Sequence, residues 1–330
     1  AYERAIKMNQ IEPDYAFFQK AISYGYIGQG STKIKELEEF ITTYKRSPLR
    51  DDALYELGNS YVKKGDEDRA MQLYDQLNKE YRSSPYASKS LLRQGLVYYN
   101  AGKNEDALSK FKNVANNYPG SPEGMQAVST ARLIYIDLGR VDEYARWVKG
   151  LDYVNVSDAD LDNTTYESAE KQYLAGDTSK AIRLFNGYLN EFPNGLHALK
   201  SHFYLAQLYY KDDLQTNAAP HYEYVVNKQS GEFTELALTR LGEIYLNEKD
   251  VTRAMPILER LENEADFPQN VVFAQSNLMK VHYQLQDYNQ AVAYAEKVLA
   301  SSRTDKNVKS DAHVIIARSA MKTGDESKAK

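Results

Sequence analysis

The chain has 330 residues, with 41 lysines and arginines against 46 aspartates and glutamates, a formal charge of −5, no cysteine, one tryptophan and 28 tyrosines. The acidic balance and the lack of a Lys/Arg block argue against a nucleic-acid surface, and the missing cysteines exclude a disulfide framework, a thiolate zinc site and a thiol nucleophile. No run of 18 apolar residues is present, so nothing reads as a membrane-spanning helix.

At the start, Ala1-Tyr2-Glu3-Arg4-Ala5-Ile6 reads as the second half of an amphipathic helix; at the end, Gly324-Asp325-Glu326-Ser327-Lys328-Ala329 reads as the opening of another. The sequence is therefore expected to be a segment of a longer protein, whose targeting signal would lie elsewhere. Between the ends the sequence repeats itself. Tyr24, Tyr61, Tyr98 and Tyr135 recur at steps of 37, and Gly28, Gly65, Gly102, Gly139 and Gly176 keep that step. Pro48, Pro85 and Pro122 follow it, as do Tyr44, Tyr81 and Tyr118. Past residue 176 the ladder is carried by Ala181, Ala218, Ala254 and Ala291.

One unit resolves into two helices. Leu54, Leu57, Gly58 and Tyr61 fall at i, i+3, i+4 and i+7, one face of an α-helix. Gly65-Asp66 supplies a left-handed stop and a new N-cap, and a second helix carries Ala70, Tyr74 and Leu77 before Ser84-Pro85 closes the unit. Mid-helix Gly58, Gly95 and Gly242 each cost about 1 kcal/mol relative to alanine, so a close approach of two helices is expected there. A buried tyrosine ring, worth up to about 4–6 kcal/mol, outweighs that cost.

The pattern breaks in the middle of the chain. From Gly150 to Asp160 the 3.6 period is lost although Gly139 to Gly176 is still 37, which predicts a shortened second helix followed by an extended connector. This gives an N-terminal arm over 1–150, a partial repeat plus four repeats. A C-terminal arm over 151–330 would hold the connector, four repeats and a partial final one. Asp158-Ala-Asp160-Leu-Asp162 opens like a calcium loop, but Asn163 and Ala169 stand where glycine and a bidentate glutamate are needed; an acidic helix start is the simpler reading. His197, His202, His221, His282 and His313 form no HExxH pair, and no nucleophile elbow or phosphate-cradling loop is present. They read as helix-surface or interhelix residues, and Trp147 as a packing residue. No catalysis, cofactor or metal is expected.

These residues resemble the tetratricopeptide repeat, with a small residue at position 8, Tyr at 11, Gly at 15, Ala at 20, an aromatic at 24 and Pro at 32. With Asp51 as position 1 the match is Gly58, Tyr61, Gly65, Ala70 and Tyr74; with Ser88 as position 1 it is Gly95, Tyr98, Gly102, Ala107, Phe111 and Pro119. The resemblance covers essentially the whole chain and implies an all-α, right-handed α-solenoid of tandem antiparallel helix pairs, about eight full repeats plus partial repeats at both ends. There are departures: Leu54 and Leu91 stand where the family often has Trp, Arg132 replaces a small residue, and Ala145 falls one place late. Pro220 and Pro256 fall at position 22, which predicts second helices that start late or kink.

The resemblance further implies that positions 2, 5, 9 and 12 of each first helix face a concave groove, with position 6 able to reach it. This selects Asp52, Tyr55 and Asn59; Lys89, Leu92, Leu96 and Tyr99, with Arg93; Tyr166, Glu170 and Tyr173; and Lys200, Phe203, Gln207 and Tyr210. Lys89 and Arg93 reproduce one corner of the carboxylate clamp of the chaperone-tail-binding members, but Tyr55 stands where an upstream lysine is needed. The implied role is a non-catalytic scaffold holding a partner peptide or helix, with no nucleic acid and no cofactor. The alternatives are a glycan-binding envelope module, or the sensor part of a larger regulator or enzyme. The repeat ends Tyr118-Pro119, Phe192-Pro193 and Phe267-Pro268 look like long-period repeats of Gram-negative envelope proteins, which implies a periplasmic location, with a cytoplasmic one as the alternative.

Overall fold

A computed structural model describes residues 2–8 and 13–324, which form helices and turns with no strand among them. The expected final half-helix from Asp325, with Ala329, lies outside the described residues, as do Ala1 and the side chain of Ala5. The chain divides into two compact units, residues 1–168 and 169–330.

In the first unit α1 (Tyr2–Met8) precedes four hairpins: α2 (Pro13–Tyr26) with α3 (Gly30–Thr43), α4 (Arg50–Lys64) with α5 (Glu67–Glu80), α6 (Pro85–Asn100) with α7 (Asn104–Asn117), and α8 (Pro122–Leu138) with α9 (Val141–Val148). The division falls inside α10 (Asp158–Leu174), which pairs in sequence with α11 (Thr178–Glu191). The second unit continues with α12 (Ala198–Lys211) and α13 (Gln215–Val226), α14 (Thr234–Asn247) and α15 (Val251–Glu264), then α16 (Pro268–Gln284) and α17 (Tyr288–Ala300). It ends on α18 (Lys306–Thr323). The described residues thus hold eight pairs with a lone helix at either end, as the repeat count requires. Within each unit successive helices pack on one another, and alternate ones touch as well, α4 on α6, α6 on α8 and α16 on α18.

Both kinds of turn follow from local chemistry. Between the helices of a pair the chain enters the left-handed region at Gly65 (φ 86°), and the next residue, Asp66, caps the second helix by accepting from the Arg69 N–H. Asp177, Asp250 and Asp287 cap α11, α15 and α17 in the same manner. Between pairs, the Ser47, Ser84 and Ser121 N–H groups donate to the carbonyls of Tyr44, Tyr81 and Tyr118, the C-caps of α3, α5 and α7. Pro85 and Pro122 then open α6 and α8 at a position where the missing N–H costs nothing. Ser47 Oγ donates to Asp14 at 2.6 Å and Ser84 Oγ to Asp51 at 2.6 Å, the same staple one repeat apart.

The mid-helix glycines are notches. A Cβ on Gly58 would lie 2.5 Å from the Tyr74 ring, one on Gly95 2.5 Å from the Phe111 ring, and one on Gly242 3.2 Å from Leu258. Tyr74 and Phe111 are fully buried, so α4 and α6 each close down on the ring of their partner helix.

Two expectations about helix geometry meet different outcomes. The second helix of the fourth repeat is indeed short, the eight-residue α9, and residues 149–157 carry no helix. Arg132, in the small-residue position of α8, instead reaches Thr164 at 2.9 Å and Glu167 at 2.6 Å. Of the late start or kink expected at Pro220 and Pro256, the late start is not found: α13 and α15 begin at Gln215 and Val251, the same register as α11, with the proline inside. Each proline is the sixth residue of its helix, so it forfeits a single hydrogen bond, to the carbonyl four residues back in the opening turn.

Candidate partner-binding site

In the first unit, α2, α4 and the start of α6 line an open cavity of about 880 Å³, with α3 entering at one side. Asp52, Tyr55, Asn59 and Lys89 line it. They come from two consecutive first helices, and they are held. Tyr86 hydrogen-bonds Asp52, whose carboxyl is pushed above its ordinary range by burial and by the nearby Glu56 and Asp51 charges. Burial and the same bond push the Tyr86 hydroxyl up. The Tyr55 ring packs 5.2 Å from Tyr86 and 6.3 Å from Tyr74, and Arg93 donates to its hydroxyl, which raises the guanidinium further. Asn59 accepts from the Tyr74 hydroxyl at 2.8 Å.

The rest of the lining escaped the sequence argument for two reasons. Phe18 and Ile22 occupy positions 5 and 9 of the repeat that starts at Asp14, so moving the groove rule back by one step of 37 reaches both. Lys33 lies on a second helix, which the rule ignores. It reaches the cavity because Gly25 leaves room for its stem, where a Cβ would sit 2.9 Å from the Lys33 Cδ, and it ends on Glu56 at 2.5 Å.

The other expected groove residues are arranged differently. Leu96 and Tyr99 are half-buried on α6 and Arg93 is exposed; none lines the cavity. Tyr166 and Phe203, expected to present rings to a groove, are buried at 3% and 6% exposure, as is Leu92. Phe203 is covered because Phe233, at the N-terminus of α14, stacks on it at 4.3 Å. In the second unit the remaining candidates pair with one another or with the next helix. Lys200 meets Glu170 at 3.0 Å, and Tyr173 stacks on Tyr204 at 4.4 Å while donating to Gln207 at 3.2 Å. Tyr210 donates to Glu243 at 2.7 Å beneath the Arg240 guanidinium, 4.7 Å from its ring. These side chains tie first helix to first helix.

The acidic run at Asp158 is a helix start. The Ser157 N–H donates to the Asp160 carboxylate at 2.9 Å and the Asp160 N–H to Ser157 Oγ at 3.1 Å, a capping box that holds Asp160 below its usual carboxylate range. Among the described residues no group of three His, Cys, Asp or Glu side chains is placed to hold a metal. Trp147 packs against Tyr135 and Tyr144, with the Lys112 ammonium 5.7 Å from its ring. The histidines sit between or on helices: His202 and His221 face each other across α12 and α13 with Nδ1 atoms 2.8 Å apart, and His313 is exposed.

A family model described as tetratricopeptide repeat matches residues 52–84 and 89–121, the segments that hold α4 with α5 and α6 with α7. Those two segments are tetratricopeptide repeats. A tetratricopeptide repeat protein from Parabacteroides merdae is 18% identical, over 78% of this chain and 95% of that one, with a TM-score of 0.39. The TPR2AB domain of yeast Sti1, in a complex with pHSP90, is 12% identical over 86% of this chain and 98% of its own, with a TM-score of 0.40. Naa15/Naa10 bound to HypK-THB aligns with 99% of this chain and 58% of that one at 14% identity and a TM-score of 0.46. No curated protein matches the sequence.

Proposed function

We propose that the protein is a scaffold that holds a segment of a partner protein in the cavity of its first unit, without catalysing a reaction. The observation that carries this reading is the cavity itself: about 880 Å³, within the usual range of ligand sites, built by the first helices of consecutive repeats from rings and hydrogen-bonding groups. Stacked repeats use such surfaces for extended partners. The wall formed by Asp52, Tyr55 and Tyr86, with Arg93 holding the Tyr55 hydroxyl from outside it, is pre-ordered by its own hydrogen bonds, so little side-chain entropy is lost on binding. The proline-terminated repeat ends, which resemble envelope repeats, extend the proposal to a periplasmic setting, to be tested by fractionating cells that produce the protein.

Peptides displayed on phage and selected on this protein test the reading. Selected peptides are expected to protect amides of α2, α4 and α6 from hydrogen exchange, and Tyr55→Ala with Asn59→Ala to weaken them about tenfold or more. Peptides that protect other helices, or bind the double variant equally well, would overturn it.

A further inference from the structure

The cavity has a floor and a rim of different chemistry. Phe18, Ile22 and Ile34 are its apolar side chains on α2 and α3, while Lys33, Lys63, Lys64 and Lys89 bring four ammonium groups to the same space. Two carboxylates oppose them, and both are engaged: Glu56 by Lys33 at 2.5 Å and Asp52 by the Tyr86 hydroxyl. Lys63 and Lys64 are exposed in the last turn of α4, where Lys64 lies 5.5 Å from the Tyr61 ring; the Lys89 ammonium lies 5.3 Å from the Tyr86 ring. Contact with an aromatic face does not cancel the positive charge, and of these only Lys89 also shares the field of a nearby carboxylate, Asp52. In a chain of net charge −5, the four lysines of this cavity thus outnumber its two carboxylates.

The spacing of these cations sets what they can recognise. Lys89 stands beside Asp52, near the start of α4, whereas Lys63 comes eleven residues later on the same helix, about 16 Å further at 1.5 Å per residue. Charges that far apart do not converge on one carboxylate. They match several acidic side chains spread along a segment, about five residues if extended.

Resting on the groove reading above, we propose that the occupant is an internal acidic segment of a partner protein, its carboxylates on the lysines at the two ends of α4 and an apolar side chain against Phe18 and Ile22. A free chain terminus is not required.

The test uses labelled peptides of about twelve residues, long enough to exceed the 16 Å span. One carries Glu at alternate positions with Phe, Ser and Gly between; its counterparts carry Gln or Lys for Glu, and each is made as amide and as free acid. Fluorescence anisotropy with the whole chain is expected to show the Glu peptide binding about tenfold or more tighter than the Gln peptide, equally as amide and acid, and weakening as salt is raised. Lys63→Glu with Lys64→Glu, at exposed positions and checked for helicity by circular dichroism, should cost the Glu peptide about tenfold and favour the Lys peptide. Equal binding of Glu and Gln peptides, lost in Tyr55→Ala, would leave the groove reading standing and sink the acidic preference. Binding of the free acid alone would do the same. If no peptide of any charge binds, both readings fall.

Discussion

At Asp213, Lys249 and Gln286 the backbone takes φ values of 58°, 60° and 62°, the left-handed region that glycine occupies at the matching turns of the first unit and again at Gly324. The sequence loses its glycine column after Gly176, yet the conformation continues on residues that carry a Cβ. Each pays roughly 1–2 kcal/mol for that, partly offset because glycine would loosen the unfolded chain more. Asp213→Gly, Lys249→Gly and Gln286→Gly are therefore each expected to stabilise by about 0.5 kcal/mol, read as a higher urea midpoint; a lower midpoint would contradict the strain. Gly58→Ala should act in the opposite sense, by about 1–3 kcal/mol, because its methyl group would enter the Tyr74 ring. The notch was legible in the sequence, since a mid-helix glycine demands a reason. The strained turns were not, because Lys and Gln announce no left-handed backbone.

Within the α12 and α13 hairpin, His202 and His221 approach at 2.8 Å, each stacked on a tyrosine, His202 on Tyr224 at 3.7 Å and His221 on Tyr209 at 5.8 Å. Burial, the His221 neighbour and Lys228 hold His202 down to about 4, and burial lowers His221 as well. The fold thus keeps the pair neutral while the unfolded chain takes up protons near pH 6.5. Stability is full above that pH and falls as the pH drops from about 6.5 towards 4, by on the order of 1–2 kcal/mol once the solvent that still reaches the pair is allowed for. Glu262 and Glu264, held below the usual carboxylate range, lose their contributions further down, so the two losses separate on the pH axis. His202→Asn should flatten the urea midpoint between pH 7 and 5; an unchanged slope would exclude the pair as its source. The helices themselves were legible from the 37-residue step, and the short α9 from the lost period. The burial of Tyr166 and Phe203 was not, since a repeat position fixes which way a side chain leaves its helix but not whether the next helix covers it.

Among the described residues of each unit, packing is between helices adjacent or next but one in sequence, and each unit has its own buried cluster, around Tyr74 in one and Leu241 in the other. Arrays of this kind unfold in parts. Trp147, the single tryptophan, lies in the first unit, so its fluorescence reports that unit while far-ultraviolet circular dichroism reports both. The two urea curves are expected to differ in midpoint; superimposed curves would mean one cooperative block. The cavity was partly legible: Asp52, Tyr55, Asn59 and Lys89 were read from the repeat register and Phe18 and Ile22 follow from the same register one step back, while Lys33, reaching in from a second helix, lies beyond any rule written for first helices.

The Asp14 to Ser47 and Asp51 to Ser84 staples have a consequence for how such a chain grows. Because the bond repeats at the same step as the glycine and tyrosine columns, a block from Pro48 to Ser84 copied in tandem would meet an identical junction at both of its edges. Lengthening by duplication would then carry its own junction bond with it, and the copies could afterwards diverge at their exposed positions while that bond stayed as it was.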